Sequence, residues 1–306
     1  MSAELPSGAQ WTIRHGDQEA VVVEVGGGLR SWTRGGVPVL AGYAEDEQCA
    51  AGRGQVLMPW PNRVADGRYA FGGKDFQLAL SEPGHHNAIH GLVRWAMWTL
   101  LEHEPHRVVV GYRLRPQQGW GGCLDLEVAY ELDEDGLTVT PRAHNVGPAA
   151  APFGFGAHPY LTTGEDRVDE LTLTVPADRR LLVDDRLLPT GTEPVAGGPF
   201  DFRDPRPVAD AVLDTAFTDL APEADGRWRV RLTRPGSDRA VTVWGDPAYR
   251  WVQVFTGDTL AGEQSRRSGL AVEPMTCPPN ALATGQDLLV LEPGQAWSAP
   301  WGISTR

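Results

Sequence analysis

Leu124-Asp125-Leu126-Glu127-Val128-Ala129-Tyr130-Glu131-Leu132 carries an apolar residue at every second position, with mostly polar residues between. Side chains of an extended strand alternate between its two faces, so the stretch offers one face to a core and one to water. The turn Asp133-Glu134-Asp135-Gly136 follows, and Leu137-Thr138-Val139-Thr140 leads back. The period of two predicts a half-buried antiparallel hairpin. Trp228, Val230 and Leu232 repeat the pattern, turn at Pro235-Gly236-Ser237-Asp238 and return as Ala240 to Trp244.

Outward from these hairpins, β-rich runs predict strands at Ala20 to Val25, Val37 to Leu40, Arg107 to Arg115 and Tyr249 to Phe255. Arg68 to Lys74 reads as a hairpin turning at Gly72-Gly73. Gly54 to Arg68 and Ser81 to His90 read as loops from their proline, glycine and polar content. Only Ala261 to Arg267 offers a helical turn or two, and the 36 glycines and 25 prolines suit many turns between short strands. Pro194 to Pro207 is the best boundary candidate, but strand signals flank it on both sides. The expectation is one all-β domain over residues 1–306, a large antiparallel β-sandwich of two stacked sheets.

Composition narrows function by exclusion. Hydrophobic residues at 41% and charged residues at 22% are ordinary for a globular chain. A formal net charge of −13 argues against a nucleic-acid partner, which needs a basic stripe. Met1 to Gln10 lacks a basic flank followed by an apolar run, and no apolar stretch nears the roughly 18 residues of a membrane span. Cys49, Cys123 and Cys277 are odd in number and widely spaced, giving neither metal-ligand spacing nor a disulfide framework. These features predict a cytoplasmic protein, monomer or homodimer, without a nucleic-acid or membrane partner.

Several stretches hold polar residues that a β scaffold alone does not require. Phe153-Gly154-Phe155-Gly156-Ala157-His158-Pro159-Tyr160 mounts a histidine between glycines, aromatics and a proline. Pro59-Trp60-Pro61-Asn62-Arg63 sets an arginine after a tryptophan, and His85-His86-Asn87 leads on to His90-Gly91-Leu92-Val93-Arg94-Trp95. In Ala271-Val272-Glu273-Pro274-Met275 a carboxylate ends an apolar strand, and Asp214 sits between Leu213 and Thr215. Each has an ordinary alternative: Trp60 and Trp95 as core or rim aromatics, Arg63 and Arg94 as ion-pair partners, His85 and His86 as solvated residues, Asp214 as a turn cap. Together, a histidine, a carboxylate and an arginine suffice for acid–base chemistry on a polar substrate. Three other readings stay open: a glycoside hydrolase using Asp214 and Glu273, a metal enzyme using His85, His86, His90 and Glu273, and a sugar-binding protein without turnover. The last would need neither His158 nor Glu273.

The run from Gln55 to Trp98, with PWPNR, DGRY, FGG and NAIHGLVRW, resembles the aldose 1-epimerase (galactose mutarotase-like) family. FGFGAHPYL at 153–161, LDTAF at 213–217 and VEPMTCPPNA at 272–281 are similar to further segments of that family, in the same order. The resemblance implies the β-supersandwich fold and no metal or organic cofactor. It implies His158 as the general acid on the sugar's ring oxygen and Glu273 as the general base on the anomeric hydroxyl. Arg63 and His90 would orient the ring-oxygen region, and Asp214 would bind other hydroxyls; apart from the resemblance, a tryptophan face such as that of Trp60 could stack on the apolar face of a pyranose. That chemistry asks for a charged His158, with a pKa near 7 or above, and an ionised Glu273. The glycines before His158 are expected to keep the backbone low enough for a pyranose to approach.

One departure bears on the substrate. After His90-Gly91 the galactose enzymes tend to have another glycine, whereas Leu92-Val93-Arg94-Trp95 stands here. The wording resembles members for sugars with an anionic substituent, such as hexose 6-phosphates or, most of all, sulfoquinovose. An arginine at Arg94 could grip such an oxyanion bidentately, or serve as a structural ion-pair residue.

Overall fold

The computed structural model describes residues 4–164, 167–263 and 265–305. Met1 to Ala3 and Arg306, at the ends of the expected domain, lie outside them, as does Gln264 within the expected turns at Ala261 to Arg267.

Leu124–Leu132 pairs antiparallel with Gly136–Asn145, with Leu132 opposite Leu137 at the turn and Leu124 opposite Asn145 at the far end. Its five alternating apolar side chains are all buried. The hairpin sits inside a ten-stranded antiparallel sheet. Arg107–Leu114 and Thr99–Glu104 extend it on one side, and Trp301–Thr305, Ala240–Gly245 and Trp228–Thr233 on the other. A second, eight-stranded sheet runs through Ala177–Val183, Asp214–Leu220, Trp251–Phe255, Leu270–Met275, Gly156–Ala157 and Val56–Leu57. Val108, Val128, Tyr130 and Ile303 from the first sheet share one core cluster with Phe217, Val252, Val254 and Val272 from the second. The protein is an all-β antiparallel sandwich, as the alternation predicts.

Local expectations fare unevenly. Gly54 to Arg68 is not all loop: it contains the short strands Val56–Leu57 and Arg63–Ala65, too brief and too proline-flanked to show a period. The strand at Val37 extends only to Pro38. The described residues of Ala261 to Arg267 form bends and turns without helix, and the one α-helix among the described residues is Ala281–Thr284. No described helix is long and apolar enough to cross a membrane.

The central strands of the second sheet position the site. Phe217, Val252, Val254, Leu270 and Val272 point into the shared core. Alternation therefore turns Asp214, Ala216, Gln253, Phe255, Ala271 and Glu273 to the opposite face, where Ala216 and Ala271 belong to two small separate clusters. That second face is the floor of a cleft.

Candidate active site

Pairing of Gly156 with Met275 and of Tyr160 with Ala271 brackets His158 opposite Glu273. Glu273 is in turn opposite Gln253, and Gln253 opposite Ala216. On its other side, the His158 N–H donates to Gln55 O at 3.1 Å and its carbonyl accepts from Gly54 N at 2.9 Å. One row across the sheet thus reads Ala216, Gln253, Glu273, His158, Gln55. His158 Nε2 stands 3.3 Å from Glu273 Oε1, with His158 6% and Glu273 2% exposed. Glu273 Oε2, His158 Nδ1 and Gln253 Oε1 are buried and have no hydrogen-bond partner. Buried polar atoms are seldom left so. Three of them in one cleft mark a place built for a polar ligand.

The cleft over this row has a volume of about 340 Å³ and is lined also by Asn62, Arg63, Glu82, His90, Arg94, Trp95 and Asp214. That is the size of a small-molecule site. Depressions of about 560 and 610 Å³ lie elsewhere, but neither is lined by a histidine or by any of the unpartnered buried atoms. Arg63 gives Nε and Nη2 to the Glu82 carboxylate at 2.9–3.1 Å. Asp214 accepts from Gln253 Nε2 at 2.5 Å, which fixes the amide and leaves its carbonyl oxygen toward the cleft. Arg94 is partly buried and finds no carboxylate within ion-pair distance among the described residues; its nearest polar side-chain partner is Gln55 Oε1 at 3.5 Å.

His158 is held by its surroundings. Its ring stacks on Tyr160 at 5.1 Å and 14°, and Tyr160 donates its hydroxyl to Ala51 O at 3.0 Å. Gly52, at φ +77°, lies so near that a Cβ there would stand 2.9 Å from His158 Cδ2. The glycines before the histidine have another reason than the one expected. A Cβ on Gly156 would meet Pro61 at 2.7 Å, and one on Gly154 would meet Cys277 Sγ at 2.5 Å. They let the proline-rich segment and the chain after Glu273 pack close, and Gly52 is the glycine that lies against the imidazole.

His90 has its tautomer set by the backbone. Its Nδ1 accepts from Asn62 N at 3.2 Å, while its own N–H donates to Asn62 O at 3.0 Å. Both residues adopt positive φ, 63° and 57°, a conformation that recurs at functional sites. A backbone N–H can only donate, so Nδ1 carries a lone pair and the proton of neutral His90 sits on Nε2. Burial, then the neighbouring His158, Arg94 and Arg63, hold His90 well below the usual histidine range. It is a neutral donor.

The same hydrogen bond bears on the metal reading. Ligating atoms of His90, His158 and Glu273 all lie within 4.8 Å of one another. With its Nδ1 engaged and its Nε2 protonated, His90 has no lone pair to give, and two ligands make a poor metal site. The other metal set left open by the sequence does not assemble among the described residues, where His85 pairs with Glu82 and His86 with Asp66.

Burial works against the expected charge states. It pushes the Glu273 carboxyl well up, helped by Asp214 and opposed by Arg63. It pushes His158 down to about 3, with Arg94 and Arg53 adding to the effect. An unpaired buried charge costs about 3–5 kcal/mol, so neither group ionises alone. A single proton between Nε2 and Oε1 would satisfy both groups, as imidazolium–carboxylate or as imidazole–carboxylic acid. Both arrangements contain one donor and one acceptor facing the cleft.

Of the residues singled out from sequence, the structure gathers His158, Glu273, Arg63, His90, Asp214 and Arg94 in this cleft. Trp60 is a correction: it is 2% exposed within the core cluster and offers no face to a sugar. The tryptophan at the cleft is Trp95, 52% exposed. Sequence reasoning gives Tyr160 no role of its own and misses Gln253 and Glu82, although Gln253 is the lone polar residue of Trp251–Phe255, the same signal that marks Glu273 in its strand.

Comparison with known proteins identifies the family and the fold. The family model described as aldose 1-epimerase matches residues 9–304. YihR of Escherichia coli, an uncharacterized protein, is 37% identical over 290 residues, covering 94% of this chain and 91% of its own. The galactose mutarotase of Homo sapiens is 30% identical, covering 77% of this chain and 72% of its own. The fold matches that of the GalM/aldose epimerase homologue of C. elegans with a TM-score of 0.85, at 20% identity and with 97% and 98% of the two chains covered. From a match that runs through both sheets and every strand of the cleft, it follows that the chain belongs to the aldose 1-epimerase family.

Proposed function

We propose that the protein interconverts the α and β anomers of a free aldohexose by opening and reclosing its ring. The observation that carries this reading is the buried His158–Glu273 pair, 3.3 Å apart on the cleft floor; we take the pair to share one proton. In its imidazolium–carboxylate form, His158 gives its proton to the ring oxygen while Glu273 takes the proton of the anomeric hydroxyl. The ring bond breaks to the free aldehyde, the bond between the first two carbons rotates, and closure runs the same transfers backwards. Only protons move and none is consumed. Nε2–H of His90 and the free face of Arg63 donate to ring-oxygen and hydroxyl positions. Asp214 and the orphaned Gln253 carbonyl accept from hydroxyls.

The test follows anomer signals by NMR on freshly dissolved glucose, galactose, glucose 6-phosphate and sulfoquinovose, with methyl glycosides as controls. Acceleration on a free sugar with glycosides untouched supports the reading. Release of methanol from a glycoside would establish a hydrolase instead.

The shared proton predicts the pH dependence. A second proton must enter on His158, held down to about 3, and the existing one leaves only past the raised value of Glu273. On the acid side, kcat/KM should therefore stay level as pH falls through about 6.5, the ordinary histidine value. An acid limb centred there would show that His158 titrates independently of Glu273.

A second reading, an anionic sugar as substrate, is favoured by Arg94, whose guanidinium lines the cleft without a carboxylate partner. Arg94→Ala should lower kcat/KM on glucose 6-phosphate or sulfoquinovose by about 10- to 100-fold and leave neutral hexoses nearly unchanged. Equal losses on both would assign Arg94 a structural role.

A further inference from the structure

Arg63, Asn87 and His85 converge on the carboxylate of Glu82. Arg63 reaches Oε1 with Nη2 at 2.9 Å and Nε at 3.1 Å, and Oε2 with Nε at 2.9 Å. Asn87 Nδ2 donates to Oε2 at 3.1 Å, and His85 Nδ1 stands 3.3 Å from Oε1. The backbone holds Glu82 as firmly. Its N–H donates to Asn87 O at 2.9 Å and its carbonyl accepts from Asn87 N at 3.1 Å, closing the turn over Pro83–His85. Asn87 is fully buried and is tied beyond the turn to Arg186 O at 3.1 Å. Exposed ion pairs are loose and weak. This one is bidentate, its side chains only 11% and 19% exposed, and its carboxylate is delivered by a rigid frame.

The clamp changes what Arg63 can do. Nε and Nη2 are committed, and no hydrogen bond from Nη1 to a described residue competes with a ligand. The charge of Arg63 is cancelled where it sits, whereas that of Arg94 is not. The His158–Glu273 pair is neutral overall. Two arginines of equal formal charge therefore present different chemistry to the same cleft.

Resting on the sugar reading above, we propose that Glu82 is a positioning residue that acts through Arg63. It fixes the guanidinium in the cleft and cancels its charge, so that Arg63 binds hydroxyls and Arg94 alone attracts an anion.

The test compares Glu82→Gln, which keeps the shape and removes the charge, with Glu82→Asp, which keeps the charge on a shorter arm. Glu82→Gln should raise KM for a neutral hexose about tenfold with a smaller change in kcat, because the loss is in orientation of the bound ring. Inorganic sulfate, titrated calorimetrically, should bind Glu82→Gln about tenfold more tightly than the unaltered protein, since an uncancelled Arg63 then joins Arg94. Glu82→Asp should retain the sulfate affinity of the unaltered protein. In an Arg63→Ala background, adding Glu82→Gln should not change the KM for the neutral hexose further, because Glu82 orients the ring only through Arg63. Unchanged KM and sulfate affinity in a folded Glu82→Gln protein, or additive effects on the hexose KM in the double variant, would overturn the proposal. If the unaltered protein accelerates no sugar, the functional reading fails by itself, and the sulfate comparison still decides the role of Glu82.

Discussion

Glu273→Gln should slow anomer exchange by about 10²–10⁴-fold, the usual contribution of a positioned acid or base. The amide keeps the shape and one acceptor oxygen, but it cannot take the anomeric proton. The loss should fall on kcat, with KM little changed, because hydroxyl contacts to Arg63, His90 and Asp214 survive. The same substitution should not harm the fold. The Glu273 carboxyl is raised above its unfolded value by burial, so the folded chain binds its proton more tightly than the unfolded chain does. Its stabilising contribution is present below the unfolded value near 4.5 and is lost as pH rises through the folded value. At neutral pH a neutral amide escapes that loss, and thermal unfolding should occur at the same or a higher temperature. Full activity, or a large drop in melting temperature, would count against the role assigned to Glu273.

His158→Asn should bring a loss of similar size, about 10²–10⁴-fold, since no other protonatable group lies within reach of Glu273 Oε1 in the row. The informative measurement is the double variant. If one proton passes within a pair, removing the second member costs little once the first is gone. Multiplying losses would mean two groups acting independently. A milder effect in His158→Asn alone would shift the acid role toward His90, which also carries a proton on Nε2 by its bond from Asn62.

Much of this was legible in the chain, for a definite reason. Period-two runs such as Leu124–Leu132 report which face is buried, and a two-sheet sandwich follows from enough of them. A carboxylate inside Leu270–Met275, where every residue is buried, is conspicuous by its cost. What stayed hidden depends on register and packing. Trp60 between two prolines reads the same whether its indole faces a sugar or the core, and its burial is decided by strands distant in sequence. The reason for Gly156 lies in Pro61, nearly a hundred residues earlier, and no local pattern announces that meeting. For His158 the attraction of a carboxylate is visible in a sequence, whereas the desolvation that pushes its pKa down is a property of the assembled sheet.

The row Ala216, Gln253, Glu273, His158, Gln55 also has a bearing on how the protein acquires activity. Each member comes from a different strand or strand end, and none is a sequence neighbour of the next. Such pairings close long loops and are the slow part of folding for β topologies. Local hairpins such as Leu124–Leu132 with Gly136–Asn145 can form early without contributing any residue to the cleft. Assembly of the row therefore waits on long-range strand contacts, and no single hairpin of the chain can supply it.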